Sequence, residues 1–378
     1  MNFTAKTLFG LEKILLLELS SLGAGNIQAV NRAVMFEGDR YMLYKANYCL
    51  RTALSVLVQI AVFRIRSADD LYRRCLKIDW SRYLDSKSTF AVVPVVNSPL
   101  FNHTGFAGLR LKDAVADWFR AKTGNRPSVN TDNPDILINL HISNDLVTVS
   151  LDSSVVPLYK RGYRKEQGAA PMNEILAAGI VMNSGWDAQV PLIDPMCGSG
   201  TIPIEAALFA SNIPPGRFRK SFGFQKWRDY DQELFKRMKE ETESQIRPCK
   251  GMVFGSDVSE EAVEMSRVNI SSAGLSDMIT LSVNDFRDLK PQAEAGVIIM
   301  NPPYGQRIRT DDSNEFYDMI GTVLKHGFPG YDAWIISSDR EALKHVGLKP
   351  SGKTALFNGA LECLLVNYKL YKGSKKAG

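Results

Sequence analysis

The chain has 378 residues, of which 45% are hydrophobic and 23% are charged. These values are ordinary for a globular protein of two or three domains. The net charge of +5 is mildly basic, which is compatible with a nucleic-acid partner but does not require one. No stretch has the length of a membrane span, and the amino terminus lacks the pattern of a signal peptide. Five scattered cysteines without a CxxC pair, together with four histidines, indicate neither a disulfide framework nor a metal site, so we expect a cytoplasmic protein that binds no metal.

The first third of the chain alternates helical and strand patterns. Helices are predicted over 7–22, 40–49 and 69–78, with Ser67 as the N-cap of the third, and strands over 27–36 and 53–65. A second unit follows, with a strand over 89–96, an amphipathic helix over 108–122 and a hairpin of strands over 135–142 and 146–151. Neither unit contains a recognisable catalytic constellation.

A basic and aromatic run over 158–165 ends the second unit. Arginine and lysine can bind phosphate and tyrosine can stack on a base, so this run predicts an RNA contact. Its candidate residues are Lys160, Arg161, Tyr163 and Arg164. A solvated loop between two domains explains the same composition equally well.

The remainder of the chain alternates strands and helices. The predicted order is helix 173–184, strand 191–193, helix 202–210, strand 253–256, helix 260–273, strand 279–283, strand 297–300, helix 314–326, strand 333–337 and a late β pair over 354–357 and 361–371. Such alternation predicts an α/β domain with a doubly wound, mostly parallel sheet, and the late pair predicts an antiparallel edge.

A glycine-rich turn follows the first strand of this domain. Gly198 and Gly200 would let the backbone approach a ligand closely. The turn does not match the dinucleotide-binding fingerprint GxGxxG, because Pro203 stands where the third glycine would be. It also does not match a phosphate-binding P-loop, since no Gly-Lys-Ser/Thr follows. An acidic residue at the start of the turn suits an amine-bearing ligand better than a pyrophosphate. The candidate cofactor-binding residues are Asp194, Pro195, Cys197, Gly198, Ser199, Gly200 and Thr201.

Polar residues also end the next two strands. Asp257 is placed to accept hydrogen bonds from ribose hydroxyls. Asn284, Asp285 and Phe286 follow the third strand, where a carboxylate can bind the amine of an adenine and an aromatic ring can pack on it. Taken singly, such acids are more often helix N-caps or turn formers.

The strand over 297–300 ends in the tetrapeptide Asn301-Pro302-Pro303-Tyr304. The Asn301 side-chain oxygen and the Pro302 carbonyl can accept hydrogen bonds from a planar exocyclic amine, while the Tyr304 ring stacks on the heterocycle. A capping turn is the alternative for an isolated tetrapeptide. Four polar strand ends along one sheet edge favour a ligand that carries a ribose, an adenine and an ammonium group, namely S-adenosylmethionine.

The order of these motifs resembles the class I methyltransferases that modify exocyclic amines. Arg161-Gly162-Tyr163-Arg164 followed by Pro171-Met172-Asn173-Glu174 resembles the junction between a THUMP domain and its methyltransferase domain. The whole chain is similar to the RlmL/YpsC group of ribosomal RNA guanine-N2 methyltransferases. The resemblance implies a ferredoxin-like segment (1–66), a THUMP domain for RNA capture (67–165) and a Rossmann-like methyltransferase domain (166–378).

An insertion over 212–250 also resembles that group. Its central part interleaves cations with aromatics, a composition that favours contacts with single-stranded or flipped nucleotides. The candidate RNA-binding residues are Arg217, Arg219, Lys220 and Trp227. The alternative is a surface flap whose aromatic side chains pack on the protein.

The predicted function is methyl transfer from S-adenosylmethionine to an exocyclic amine of structured RNA. Guanine N2 of 23S rRNA is favoured, with tRNA as another possible substrate. The motif cannot distinguish guanine N2 from adenine N6 in DNA or RNA. An RNA-binding module with a vestigial methyltransferase fold and a nicotinamide-dependent oxidoreductase are the remaining alternatives. The sequence does not indicate the oligomeric state.

Overall fold

A computed structural model describes residues 1–168, 171–249, 251–303 and 310–371, without the side chains of residues 310–312. The chain divides into two compact units. The N-terminal unit comprises Met1–Thr7, Glu18–Leu158 and Arg219–Glu240. The C-terminal unit comprises Leu8–Leu17, Tyr159–Phe218 and Glu241–Gly378. No helix in the described ranges is both long enough and apolar enough to cross a membrane.

The N-terminal unit contains an eight-stranded sheet in the order β2-β3-β1-β4-β8-β7-β5-β6. Its strands are β1 (Asn2–Thr7), β2 (Gly25–Val30), β3 (Ala33–Glu37), β4 (Ala53–Arg64), β5 (Thr89–Asn97), β6 (Ser128–Val129), β7 (Ile136–Ser143) and β8 (Leu146–Asp152). Its helices are α2 (Arg40–Cys49), α3 (Ala68–Cys75) and α4 (Thr104–Thr123), while α1 (Glu12–Leu22) has residues in both units.

Most predicted elements of this unit are confirmed, including Ser67, whose hydroxyl accepts the Asp70 N–H as the N-cap of α3. Two predictions were wrong in detail. The strand predicted over 27–36 is two antiparallel strands, β2 and β3, joined by a turn in which Arg32 has a positive φ of 56°. The helix predicted from residue 7 begins at Glu12, because residues 2–7 form β1 between β3 and β4.

Residues 219–240 of the insertion pack within the N-terminal unit. Phe224 is 1% exposed, and its ring stacks on Tyr44 with centroids 4.6 Å apart. Phe222 and Phe235 complete this aromatic cluster, with centroids 5.3 Å from the Phe224 ring. The backbone N–H of Phe224 donates to the Ser153 carbonyl at 2.9 Å. The aromatic residues of the insertion therefore fill a core, as the alternative interpretation of their sequence predicts.

The C-terminal unit contains a seven-stranded sheet in the order β11-β10-β9-β12-β13-β15-β14. Its strands are β9 (Leu192–Asp194), β10 (Val253–Asp257), β11 (Ile279–Val283), β12 (Gly296–Met300), β13 (Tyr331–Ser337), β14 (Gly352–Asn358) and β15 (Leu361–Lys369). Its helices are α5 (Glu174–Asn183), α6 (Thr201–Ala210), α8 (Glu260–Ser272) and α9 (Thr310–Gly327), while α7 (Gln232–Glu243) has residues in both units.

The first five strands of this order pair in parallel, and β15 pairs antiparallel with both β13 and β14. The predicted Rossmann-like sheet with an antiparallel pair at its edge is therefore confirmed. The segment Leu8–Leu17 belongs to this unit although it lies near the amino terminus. Leu11 is fully buried against α5, where a Cβ added to Gly179 would lie 2.6 Å from the Leu11 methyl carbons.

The strand order reverses at β9, which pairs with β10 on one side and β12 on the other. Open α/β sheets bind their ligands at this switch point, outside the carboxyl ends of the strands. Asp194, Asp257 and Asn301 all lie at these carboxyl ends.

The buried position of Phe224 predicts a large effect of Phe224→Ala on stability. Emptying a buried phenylalanine site should lower the free energy of unfolding by about 3–5 kcal/mol. Phe106→Ala is the control, because this residue on α4 of the same unit is 49% exposed and should change the value by less than about 1 kcal/mol. Urea unfolding followed by circular dichroism gives both values. Equal losses in the two variants would contradict the packing of the insertion.

Candidate functional site

The glycine turn between β9 and α6 is held by the neighbouring strand and helix. The Cys197 N–H donates to the Ser256 carbonyl of β10 at 2.9 Å, and the Gly198 N–H donates to the Asp257 carboxylate at 3.0 Å. The Ser266 hydroxyl of α8 donates to the Gly198 carbonyl at 2.6 Å. Gly200 has a φ of +81°, a conformation that glycine adopts at little cost and that other residues rarely take.

Asp194 is fully buried at the end of β9, and its carboxylate accepts the Met196 N–H at 3.1 Å. Burial, reinforced by the negative charge of Asp257, raises the pKa of Asp194 well above its usual range. Burial also raises the pKa of the Cys197 thiol. Cys197 is therefore a thiol at neutral pH and is unsuited to act as a nucleophile.

Asp257 ends β10 and Asn284 follows the adjacent β11. The Asn284 N–H donates to the Asp257 carbonyl at 3.0 Å, which brings the two strand ends together. The Asp285 carboxylate caps a short 3-10 helix and pairs with the Arg287 guanidinium at 2.6 Å, and this hydrogen-bonded pair lowers the pKa of Asp285. Phe286 is 4% exposed and stacks on Phe328 in the core.

These strand ends form the walls of a cleft of about 570 Å³. A cavity of this size is within the usual range for a cofactor or substrate pocket. Its walls consist of residues from the glycine turn, the ends of β10, β11 and β12, and helix α9: Pro195, Met196, Asp257, Val258, Asn284, Asp285, Phe286, Arg287, Asn301, Pro303, Glu315, Phe316 and Met319.

A second cavity, of about 130 Å³, lies along the glycine turn. Residues 194, 196–199 and 201 of the turn line it, together with Asn301 and Met265. Asn301 and Met196 line both cavities.

The side chain of Asn301 is notable for an unsatisfied oxygen. Its Oδ1 is buried and has no hydrogen-bond partner among the described residues. A buried amide oxygen without a partner costs free energy, which a ligand that donates a hydrogen bond can recover. Pro302 is buried and Pro303 is half-buried beside it, whereas Tyr304 lies outside the described residues.

Most of the predicted RNA-binding side chains in the basic run over 158–165 are buried, whereas a contact with RNA requires exposed side chains. Arg161 and Tyr163 are each 1% exposed, and both bind Oε1 of the buried Glu205, at 3.4 and 3.0 Å. Arg164 is largely buried, with bonds to Glu174, Ser199, Thr201 and the Met172 carbonyl. RNA contacts by these three side chains do not fit their burial, because their polar groups already bind the protein interior. Lys160 alone of the four predicted residues is exposed.

The predicted RNA-binding residues of the insertion also divide into two groups. The Arg219 guanidinium donates to the Val156 and Pro157 carbonyls at 2.8 and 2.9 Å, and Trp227 packs against the core of the N-terminal unit. Both side chains have structural contacts that compete with an RNA role. Arg217 and Lys220 are exposed.

Several cleft residues were missed in the sequence. Val258 is 70% exposed although it is apolar, and it directly follows Asp257 at the cleft. The signal in the sequence that identifies Val258 is its position directly after Asp257, the acid that ends β10. Phe316 and Met319 face the cleft from α9, and their spacing of one helical turn indicates a common face but does not identify what that face contacts.

The C-terminal unit has a Rossmann-like sheet with a cleft at the carboxyl ends of its strands, and the family models identify it as a methyltransferase domain that follows a ferredoxin-like and THUMP region. Three family models match successive parts of the chain. The RlmL ferredoxin-like domain matches residues 2–57, the THUMP domain matches 66–152, and the UPF0020 model, described as an RMKL-like methyltransferase domain, matches 161–367. The last match covers more than half of the chain, which therefore belongs to the RMKL-like methyltransferase family.

Individual relatives agree with this family. The chain is 38% identical to slr0064 of Synechocystis sp., a predicted RNA methyltransferase, over 96% of this chain and 95% of that protein. It is 37% identical to the ribosomal RNA large subunit methyltransferase K/L of Psychromonas ingrahamii over 98% of this chain, which spans 50% of that longer protein. Among solved structures, the predicted methyltransferase SMU.472 in complex with S-adenosylhomocysteine (SAH) is 28% identical, with a TM-score of 0.88 and 99% of each chain covered. S-adenosylmethionine is the cofactor of the family.

The raised pKa of Asp194 has a consequence for stability. The folded chain retains the Asp194 proton to a higher pH than the unfolded chain, in which aspartates have a pKa of about 3.9. This residue therefore makes folding less favourable as the pH rises above about 4, until the folded pKa is passed.

Asp194→Asn should abolish this contribution, since an amide stays neutral and its oxygen can still accept the Met196 N–H. The unfolding free energy of the variant relative to the parent should therefore be higher at pH 8 than at pH 5, as measured by urea unfolding. A difference that does not change with pH would show that Asp194 is not buried as described.

Proposed function

We propose that this methyltransferase transfers the methyl group of S-adenosylmethionine to an exocyclic amine of a base in structured RNA, with guanine N2 of 23S rRNA as the favoured target. The observation that carries the proposal is the buried Oδ1 of Asn301, which has no partner among the described residues, in a residue that lines both cavities. This oxygen is a ready acceptor for an amine hydrogen.

In this proposal the cofactor lies along the strand ends. Asp257 accepts hydrogen bonds from the ribose hydroxyls, in the position that acids hold in such sheets. Asp285 accepts from the adenine amine, while Val258 and Phe286 provide apolar surface for the ring. The glycine turn and Asp194 face the smaller cavity and hold the methionine end of the cofactor.

The transfer step requires alignment more than acid or base strength. Bound S-adenosylmethionine supplies a methyl group activated by a positively charged sulfur. Asn301 Oδ1 and the Pro302 carbonyl orient the two amine hydrogens, which directs the nitrogen lone pair at the methyl carbon. The N–C bond forms as the C–S bond breaks, and the nitrogen then loses a proton to water. The target base must be extruded from its stack, which costs a few kcal/mol. The stacking role predicted for Tyr304 concerns a residue outside the described ranges.

The choice of RNA rests on the N-terminal region and on the relatives. The THUMP match covers residues 66–152, and the names of two relatives specify RNA or ribosomal RNA. Lys160, Arg217 and Lys220 are exposed cations and remain the proposed phosphate contacts. We also propose a cytoplasmic location, as the sequence predicts from its scattered cysteines.

Asn301→Ala tests the proposed acceptor. The variant should lose methyl transfer by at least about 10³-fold, because the amine is no longer oriented, while the affinity for SAH changes by less than about threefold. Transfer of labelled methyl groups to RNA and calorimetry with SAH measure the two quantities. A variant that retains activity would refute the assignment of Asn301.

The identity of the base can be tested in cells. A deletion strain should lose N2-methylguanosine from its ribosomal RNA, measured by mass spectrometry of nucleosides from separated rRNA and tRNA. Loss from tRNA alone would change the substrate, and loss of N6-methyladenosine would change the base. Unchanged N2-methylguanosine in both pools would contradict the proposal.

A further inference from the structure

The second half of the glycine turn is held by Arg164, which lies some 35 residues earlier in the chain. Its guanidinium donates to the Ser199 hydroxyl at 3.1 Å, to the Thr201 hydroxyl at 3.0 Å and to the Met172 carbonyl at 3.0 Å. The remaining bond is an ion pair with Glu174 at 2.9 Å, in which the two side chains are 14% and 8% exposed.

Asn269 on α8 also binds both segments, through residues 165–166 and Ser199. Its Oδ1 accepts the Lys165 and Glu166 N–H groups at 2.7 and 3.0 Å. Its Nδ2 donates to the Glu166 carbonyl at 2.9 Å and to the Ser199 carbonyl at 3.0 Å. Asn269 is 1% exposed, and these four bonds use both acceptor positions and both donor hydrogens of its amide.

We infer that Arg164 and Asn269 are positioning residues that fix residues 199–201 of the glycine turn in the conformation that binds the methyl donor. The inference rests on the proposed placement of the cofactor along this turn. Residues 197 and 198 are held by β10 and α8, whereas residues 199 and 201 take their side-chain bonds from Arg164. Without Arg164, the Ser199 and Thr201 side chains would lose these bonds, and Asn269 alone would hold the Ser199 carbonyl.

The charges show why an arginine is required here. A cation at a helix N-terminus opposes the helix dipole, and Thr201 is the first residue of α6. Glu174 at the start of α5 compensates this charge, and the guanidinium fork reaches both helix starts at once. Lysine would keep the charge but has a single nitrogen, which cannot reproduce the fork.

The same contacts argue against the RNA-binding role that the sequence predicts for Arg164. At least four of its N–H bonds already point to acceptors within the C-terminal unit. An RNA phosphate would have to displace these acceptors. The positioning role and the RNA-binding role therefore predict opposite changes in cofactor and RNA affinity.

Arg164→Lys distinguishes the two roles in the full-length protein. We expect the Kd for SAH to rise about tenfold or more, because bidentate contacts are lost, and the Kd for a labelled RNA hairpin to stay within about twofold. Calorimetry and fluorescence anisotropy measure the two values. Arg247→Lys is the matched control, since Arg247 binds the Ala210 carbonyl at the opposite end of α6, and both constants should be unchanged.

A coupling measurement guards against a general loss of folding. Thr201→Val removes one acceptor of the Arg164 guanidinium with little change in shape. It should raise the Kd for SAH in the parent but add little in the Arg164→Lys background, since the contact is already lost there. If Thr201→Val raises the Kd for SAH by the same factor in the parent and in the Arg164→Lys background, the positioning role of Arg164 is refuted.

Other outcomes separate this inference from the proposed function. Arg164→Lys with normal SAH affinity and weakened RNA binding would restore the RNA role and overturn the inference. Normal affinity for both would show that Arg164 has no part in either. Failure of the unaltered protein to bind SAH would refute the proposed function itself, and the inference with it.

Discussion

The pairing of β9 with both β10 and β12 is the constraint on which the site depends. β9 has only three residues, and Ile193 is opposite Phe254 on one side and Ile298 on the other. Parallel strands in this register end at the same edge, so Asp257 and Asn301 both extend two residues beyond the level of Asp194. With a rise of roughly 3.3 Å per residue, these two side chains extend past the end of β9 by similar distances. A change of one residue in this register would turn one of them to the opposite face of the sheet.

Polar groups at the carboxyl ends of these strands differ in whether their hydrogen bonds are satisfied. Asp194 has a backbone donor, Asp257 binds the Gly198 N–H, and Asp285 binds Arg287. Asn269 and Arg164 are almost fully satisfied within the protein. The Asn301 oxygen, by contrast, has no partner among the described residues, and Asn301 lines both cavities. A buried acceptor without a partner is expected where a ligand supplies the missing donor.

The sequence was sufficient to predict the sheet and its edge, because strand ends followed by Gly, Pro, Asp and Asn are local patterns. β11 was predicted at its exact bounds, and the cleft contains residues from each predicted strand end. The roles of Arg161, Tyr163 and Arg164 could not be predicted in this way. Their partners, Glu205, Ser199 and Thr201, lie far along the chain, and composition does not identify a distant partner. The packing of Phe222 and Phe224 could not be predicted from composition either, since an aromatic run can bind bases or fill a core. The predicted domain boundaries at residues 66 and 165 remain a prediction.

The central claim is that the cleft beside Asn301 methylates an exocyclic amine of RNA. The most direct measurement supplies the purified protein with labelled S-adenosylmethionine and either ribosomal RNA from the deletion strain or duplex DNA, and then identifies the labelled nucleoside after digestion. The account predicts label in N2-methylguanosine from the RNA and none in the DNA. Label on a ribose hydroxyl or on a ring carbon would contradict it, because neither atom offers the amine hydrogens that Asn301 is placed to accept.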